Sequence, residues 1–331
     1  MKVVDMHCDT ISKLLRAEDE GNIANLRDND FDIDIKKMIK GDYLLQNFAM
    51  FVPYGGNPNP EKDCLRLIDK YYREIEANID SIRPVFSYQD IEDNMNEGKM
   101  SAMLTLEEGG VVFNDLAMLR NYYRLGVRMI TLTWNFPNGI GYPNFVPKDK
   151  ADTSIDRYDM LRTVNETDGL TPFGIEYIKE MERLGIIIDV SHLGDKGFYD
   201  VFENTTKPFV ALHSNARSVQ GVARNLKDDM IRKLASRGGV MGINYCADFI
   251  DDEGGSIEGI IKHIDHIVSI AGIDCIGLGS DFDGIKKRDE LSDASKMNDL
   301  RVALAKHGYS GEDIDKIFYK NVLRVYKEVL R

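Results

Sequence analysis

The chain has 331 residues, 43% of them hydrophobic and 29% charged, an ordinary globular composition with enough apolar side chains for a large core. Lys+Arg 42 against Asp+Glu 55 gives a net charge of −13; a chain this acidic has no general affinity for phosphate backbones, so nucleic acid is excluded from the expected partners. The opening MKVVDMHCDT lacks the apolar stretch of a signal peptide, and no later run nears the ~18 apolar residues of a membrane span. A soluble, cytoplasmic protein with no membrane partner is expected. Cys8, Cys64, Cys246 and Cys275 show no CxxC spacing and read as reduced, packed thiols.

Eight short runs, β-branched or Leu-rich, alternate along the chain with amphipathic stretches: VVDMH, LLQNFAMFV, SAMLTLE, RMITLTW, IIIDVSH, PFVALH, VMGINY and CIGLGSD. This number and alternation predict an α/β fold, a single (β/α)8 TIM-type barrel over residues 1–331. Several of the intervening helices close on a glycine suited to a left-handed C-cap. The C-terminal KHGYSGEDIDKIFYKNVLRVYKEVL reads as a helical pair closing the barrel.

Taken in chain order, five of the runs deliver chemistry at their ends. The first carries His7 and Asp9, an H-x-D pair that strand alternation places on one face. The third is followed by Glu108, set beside the flexible Gly109-Gly110. After the fourth comes NFPNGIGYPNFVPKDKADTSIDRYD, rich in Gly, Pro and Asn, expected as a βα loop over the barrel mouth; its Phe136, Tyr142 and Phe145 speak against full disorder. His192 ends the fifth run, His213 the sixth, and Asp281 follows the eighth. Tyr245 and Asn244 end the seventh, where facing a substrate and packing at the barrel mouth are equal readings. His263 and His266 sit at i, i+3 on a helix and read as solvated, and His307 as a helix-end residue.

Any one of these is weak: a lone histidine is more often packed in a core, and a lone aspartate more often caps a helix. Their agreement in position, each at the tip of a predicted parallel strand, is how a barrel builds an active site. Neutral imidazoles suit Zn2+. Five ligands, His7, Asp9, Glu108, His192 and His213, exceed what one tetrahedral zinc with an open position requires. Two metals bridged by Glu108 are therefore expected, with Asp281 placed to shuttle a proton.

HCD near the N-terminus, EGG, VSH, ALHSNARSVQGVARN and GSDFDG together resemble the membrane (renal) dipeptidase family of zinc enzymes, bacterial branch. The resemblance runs from the first strand to the C-terminal helices. It implies two Zn2+ per chain, His7 and Asp9 on the first, His192 and His213 on the second, Glu108 as the bridge and Asp281 as the acid/base group. It further implies hydrolysis of small dipeptides, including L-Xaa-D-Xaa substrates, with Arg224 holding the substrate carboxylate through its planar fork, and a homodimer. Several members end the fourth strand with a histidine that steadies the tetrahedral intermediate; Trp134 stands there in this chain, and an indole donates one hydrogen bond but carries no charge. A soluble form without the membrane-anchoring tail of animal members is expected. Two other readings stay open: another barrel amidohydrolase acting on a cyclic amide or lactam, against which the H-x-D opening and the lack of a lysine in MITLTWN both argue, and a catalytically silent zinc-binding paralogue.

Overall fold

The computed structural model describes residues 2–144, 157–286 and 288–331. Nine parallel strands appear among them: β1 Val3–Asp5, β2 Tyr43–Phe51, β3 Ile82–Pro84, β4 Met100–Glu107, β5 Val127–Thr131, β6 Ile187–Asp189, β7 Val210–Ala211, β8 Val240–Ile243 and β9 Ile276–Leu278. They follow the order β2-β1-β9-β8-β7-β6-β5-β4, and β2 pairs with β4 from Leu45↔Ser101 to Phe51↔Glu107, which closes an eight-stranded ring. All eight runs expected from the sequence contribute a strand to this (β/α)8 barrel.

The ninth, β3, was not expected. It pairs only with Met100–Ala102, ahead of Leu104 where β5 takes over the β4 edge. At three residues, one of them Pro84, it carries no readable alternation, and proline is tolerated because the strand is an edge.

Helices pack outside the ring, several of them started and stopped by local chemistry. In Pro172–Leu184 the Thr171 side chain accepts from Gly174 N, Pro172 opens the first turn, and Gly185 ends the helix at φ 82, a left-handed position that costs glycine little. Inside the ring, Val4, Met6, Met103, Met129, Ile187, Val210 and Val240 pack against Val322, Val325 and Tyr326 of the C-terminal helix Asn321–Val329. Asn47 Nδ2 donates to the buried Tyr326 hydroxyl at 2.7 Å. That helix thus covers the floor of the barrel, and the open end lies at the C-terminal tips of the strands.

The four cysteines are free, and three are buried. No helix among the described residues is long and apolar enough to cross a membrane. The first part of the loop after β5 packs down: Asn144 N donates to His192 O at 2.6 Å, and Phe136 lies 5.7 Å from the Trp134 ring. Tyr142 is partly exposed. Phe145 falls outside the described residues.

Candidate metal centre and substrate cavity

At the open end, His7 Nε2 lies 3.3 Å from Asp9 Oδ2, 3.4 Å from Glu107 Oε2 and 3.8 Å from Asp281 Oδ1. The other Glu107 oxygen, Oε1, is 3.2 Å from His192 Nε2 and 3.4 Å from His213 Nε2. Three groups with metal-ligand spacing result among the described residues, His7–Asp9–Glu107, Glu107–His192–His213 and His7–His213–Asp281, and Glu107 is the residue that the first two share. His7 and Asp9 come together as expected, although by the exit of β1 into the helix Thr10–Asp19, which Asp9 precedes directly, and not by strand pleat.

The carboxylate at the centre is Glu107, which corrects the expectation placed on Glu108. Strand β4 runs with Ala102, Leu104 and Leu106 in the outer core under the helices, and Met103 in the barrel interior. Period-two alternation therefore turns Glu107 inward and its neighbour out. Glu108 adopts φ 119, and its carboxylate accepts from Gly110 N at 2.7 Å, from Trp134 N at 3.2 Å and from Asn138 Nδ2.

The electrostatics separate the two acids. Burial works to raise Glu107, but the His7 charge and the close approach of the His192, His213 and His7 rings overcome it and hold the carboxyl well below the usual range. Glu108, with burial outweighing its amide donors, is pushed up to about 7. Burial and the Arg224 charge bring His192 down to about 3, which keeps the imidazole neutral. Asp281, in left-handed backbone at φ 62, is pushed up to about 7, first by burial and then by the Asp9 and Glu107 charges. Its Oδ2 accepts from Asn244 Nδ2 at 2.9 Å. His192 is also left-handed, at φ 66; such backbone costs about 1–3 kcal/mol per residue and persists where surrounding contacts over-determine it.

Those contacts come partly from buried carboxylates beneath the site. Asp5 accepts from Ser280 Oγ at 2.6 Å and Ser280 N at 2.9 Å, and Asp189 accepts from Thr131 Oγ1 at 2.7 Å and Leu212 N at 2.8 Å. Each stitches adjacent strand ends together. Asp283 ties the rim, accepting from Thr10 Oγ1 at 2.6 Å, Lys13 Nζ at 2.9 Å and Asp32 N at 2.9 Å.

The residues fit a resident metal. Buried and without hydrogen-bond partners are His7 Nε2, which faces the centre, and Asp9 Oδ1, which is costly unless a cation or its ligands engage such atoms. A Cβ on Gly284 would meet Asp9 Oδ2 at 2.1 Å and Asp281 Oδ1 at 2.6 Å, so glycine keeps this cradle open.

Beside the centre lies a cavity of about 600 Å³ lined in part by Trp134, Arg224, Cys246 and Phe249. Arg224 is 4% exposed, donates to His213 O at 3.1 Å from Nη2, and keeps Nε and Nη1 buried without partners. Its guanidinium lies 5.3 Å from the Phe249 ring centre. Trp134 reaches the cavity too, edge-on to Phe51 at 4.8 Å. Tyr245 does not, a second correction: it is fully buried behind the site, packed on Phe282 at 5.7 Å with its hydroxyl toward Met297. The next residue along the barrel mouth, Cys246, takes the lining position. His263 is likewise fully buried and not solvated, its Nδ1 accepting from Ala216 N at 3.1 Å and Nε2 lying 2.9 Å from Ile250 O. His266 pairs with Asp228 at 2.8 Å and His307 with Asp265 at 2.8 Å.

A sequence model of the membrane dipeptidase family, peptidase family M19, matches residues 1–331. The chain belongs to this family. It is 34% identical to a dipeptidase of Schizosaccharomyces pombe, itself uncharacterized, over 99% of this chain and 80% of that one. It is 28% identical to the dipeptidase tcpJ of Claviceps purpurea over 90% of this chain and 69% of that one. Among solved structures it resembles the dipeptidase AC, a metallo peptidase of the same family, with a TM-score of 0.88 at 25% identity over 100% of this chain and 99% of that one. A metallo peptidase from Rhodobacter sphaeroides, solved with a phosphinate mimic of L-Ala-D-Ala, shares the fold with a TM-score of 0.87 at 24% identity over 99% of each chain. The protein is a metallo-dipeptidase.

Proposed function

We propose that this dipeptidase cleaves its substrates at a centre of two Zn2+ ions bridged by Glu107. The sharing of Glu107 between His7–Asp9 and His192–His213 is the observation that carries this reading. In it His7 and Asp9 hold one ion and His192 and His213 the other. A pair of zinc ions, when bound, supplies a water of lowered pKa and polarises the scissile carbonyl.

The chain's own residues do the rest. Arg224, whose buried guanidinium keeps donors without partners, receives the free carboxylate of the dipeptide, which orients the peptide bond toward the centre. Asp281, oriented by Asn244 and 3.8 Å from His7 Nε2, takes the proton of the attacking water and passes it to the leaving amine. Trp134 and Phe51 form an apolar wall of the cavity that sheds water around the substrate.

L-Xaa-D-Xaa dipeptides, a homodimer and a cytoplasmic location belong to the same reading. Hydrolysis of a dipeptide library that includes L-Xaa-D-Xaa members, run with zinc-loaded and metal-stripped protein, tests it. Cleavage that depends on zinc and stops at dipeptides is expected; equal turnover without metal, or none in any member with zinc, refutes it. Light scattering of the purified protein decides the dimer, and cell fractionation decides the location.

A further inference from the structure

The expected bridge, Glu108, is released from the metal centre and buried nonetheless, and its surroundings show what it does instead. Its carboxylate accepts from Trp134 N at 3.2 Å and from Asn138 Nδ2. Asn138 in turn donates to Leu132 O at 2.9 Å and accepts from Ile140 N at 2.8 Å and Gly141 N at 3.1 Å. The segment from Leu132 to Gly141 is thereby fastened around one acid. A Cβ on Gly110 would meet Glu108 Oε1 at 2.5 Å, so the EGG glycine leaves room for that clasp.

The fastened segment reaches His192. Asn135 Oδ1 lies 2.9 Å from His192 Nδ1, and Thr133 Oγ1 donates to His192 O at 3.4 Å. An amide oxygen only accepts, so Nδ1 must carry the proton and the Nε2 lone pair is left facing Glu107 Oε1 at 3.2 Å. Neither His7 Nδ1 nor His213 Nδ1 has a partner of this kind. At φ 66 His192 departs from the ordinary strand exit, so strand pleat does not set the direction of its ring.

We propose that Asn135 and Glu108 are positioning residues for His192: Asn135 selects the tautomer whose Nε2 binds metal, and Glu108 holds Asn135 in place by clasping the loop after β5. The inference deepens the two-metal reading and rests on it. Partners of this sort orient a metal-binding imidazole, and their loss typically weakens metal binding by about 10–100-fold.

The test uses Asn135→Leu, Asn135→Asp and Glu108→Ala in the full chain, with circular dichroism as the folding control. Nitrogen chemical shifts of 15N-histidine-labelled, metal-free protein report each tautomer directly. His192 should be protonated on Nδ1 in the wild type and in Asn135→Asp, and should lose that preference in Asn135→Leu. Zinc competition against a chromophoric chelator should then show two tight equivalents in the wild type and one of them weakened about 10–100-fold in Asn135→Leu. Asn135→Asp should restore it. Glu108→Ala should weaken the same equivalent, and the double variant should lose less than the product of the two, because both act through one contact. If Glu108→Ala does not fold, Asn138→Ser frees the same segment. A wild-type His192 protonated on Nε2, or an Asn135→Leu variant that keeps both equivalents at wild-type affinity, overturns the proposal. A wild type that binds one equivalent overturns the two-metal reading instead, and the tautomer measurement still decides the role of Asn135.

Discussion

The Nε2 atoms of His192 and His213 face each other at 3.2 Å, with Glu107 Oε1 within 3.4 Å of both. Lone pairs gathered at one point repel without a cation and bind tightly around one, so metal content is expected to govern the stability of the protein. At free zinc 100-fold above Kd, each site adds about 2.7 kcal/mol to folding. Thermal unfolding in graded zinc and in chelator should show Tm rising with free metal; a Tm indifferent to zinc contradicts a structural contribution from the centre.

Removing Glu107 should have a larger effect than removing Glu108. Glu107→Ala deletes the group shared by both ligand sets, so elemental analysis is expected to find less than one tightly held zinc per chain and turnover lost by 10³-fold or more, about the weight of a principal catalytic group. Glu108→Ala, saturated with zinc, should hold two. The opposite ranking would return the bridge to Glu108.

Asp281→Asn keeps the shape of the side chain and removes its basicity. With Asn244 still beside it, kcat should fall by roughly 10²–10⁴ while zinc content stays at the wild-type level. Near-normal turnover in a metal-replete variant rules out the proton-shuttle role.

Arg224 should set the length of substrate. Its buried, unpartnered nitrogens are satisfied by a free carboxylate and not by an amide or a further peptide bond. Losing that charge-assisted pair costs about 1.5–3 kcal/mol, or about 10- to 150-fold in kcat/KM, for dipeptide amides and tripeptides. Arg224→Met should slow dipeptides and erase most of the difference. Equal rates on dipeptides and their amides in the wild type would show that no carboxylate clamp operates.

His263 gives the protein an acid limit that is independent of the metal centre. Burial lowers its pKa to about 4, since the ring is enclosed between Ala216 N and Ile250 O. Between pH 6.5 and 4 the unfolded chain binds a proton there that the folded chain refuses, so the His263 contribution is complete above pH 6.5 and drains away as pH falls toward 4. The shift corresponds to about 3 kcal/mol. Urea unfolding across that range should be steeper in pH for the wild type than for His263→Gln, and parallel curves would dismiss the effect.

The ring of eight strands was legible because each strand is a short apolar run between turn signals, and His7, Asp9, His192, His213 and Asp281 were legible because they follow such runs directly. The choice between Glu107 and Glu108 failed for a reason the sequence does contain. Ala102, Leu104 and Leu106 form the all-apolar face of SAMLTLEEGG that a helix must cover, whereas Ser101, Met103 and Thr105 alternate with them, so parity alone assigns Glu107 to the interior. Tyr245 was misplaced because the chain leaves β8 at Ile243, and two residues past a strand end its alternation no longer predicts direction. The contact between Asn135 and His192 spans 57 positions and depends on a loop path held by Glu108, which no local pattern encodes.

The pairing of β1 with β9 through Asp5↔Leu278 bears on when this protein becomes competent. His7 and Asp281 meet only after the first and last strands have found one another, so ring closure precedes assembly of the complete site. Closing so long an intervening chain is among the slowest steps available to a fold dominated by non-local contacts. Recovery of activity during refolding should therefore lag the recovery of helical signal, and a chain stalled with that seam open would present His7, Asp9, Glu107, His192 and His213 without Asp281. Completion of the site by Asp281 is in effect a checkpoint on complete folding, set by topology and not by the strength of any single contact.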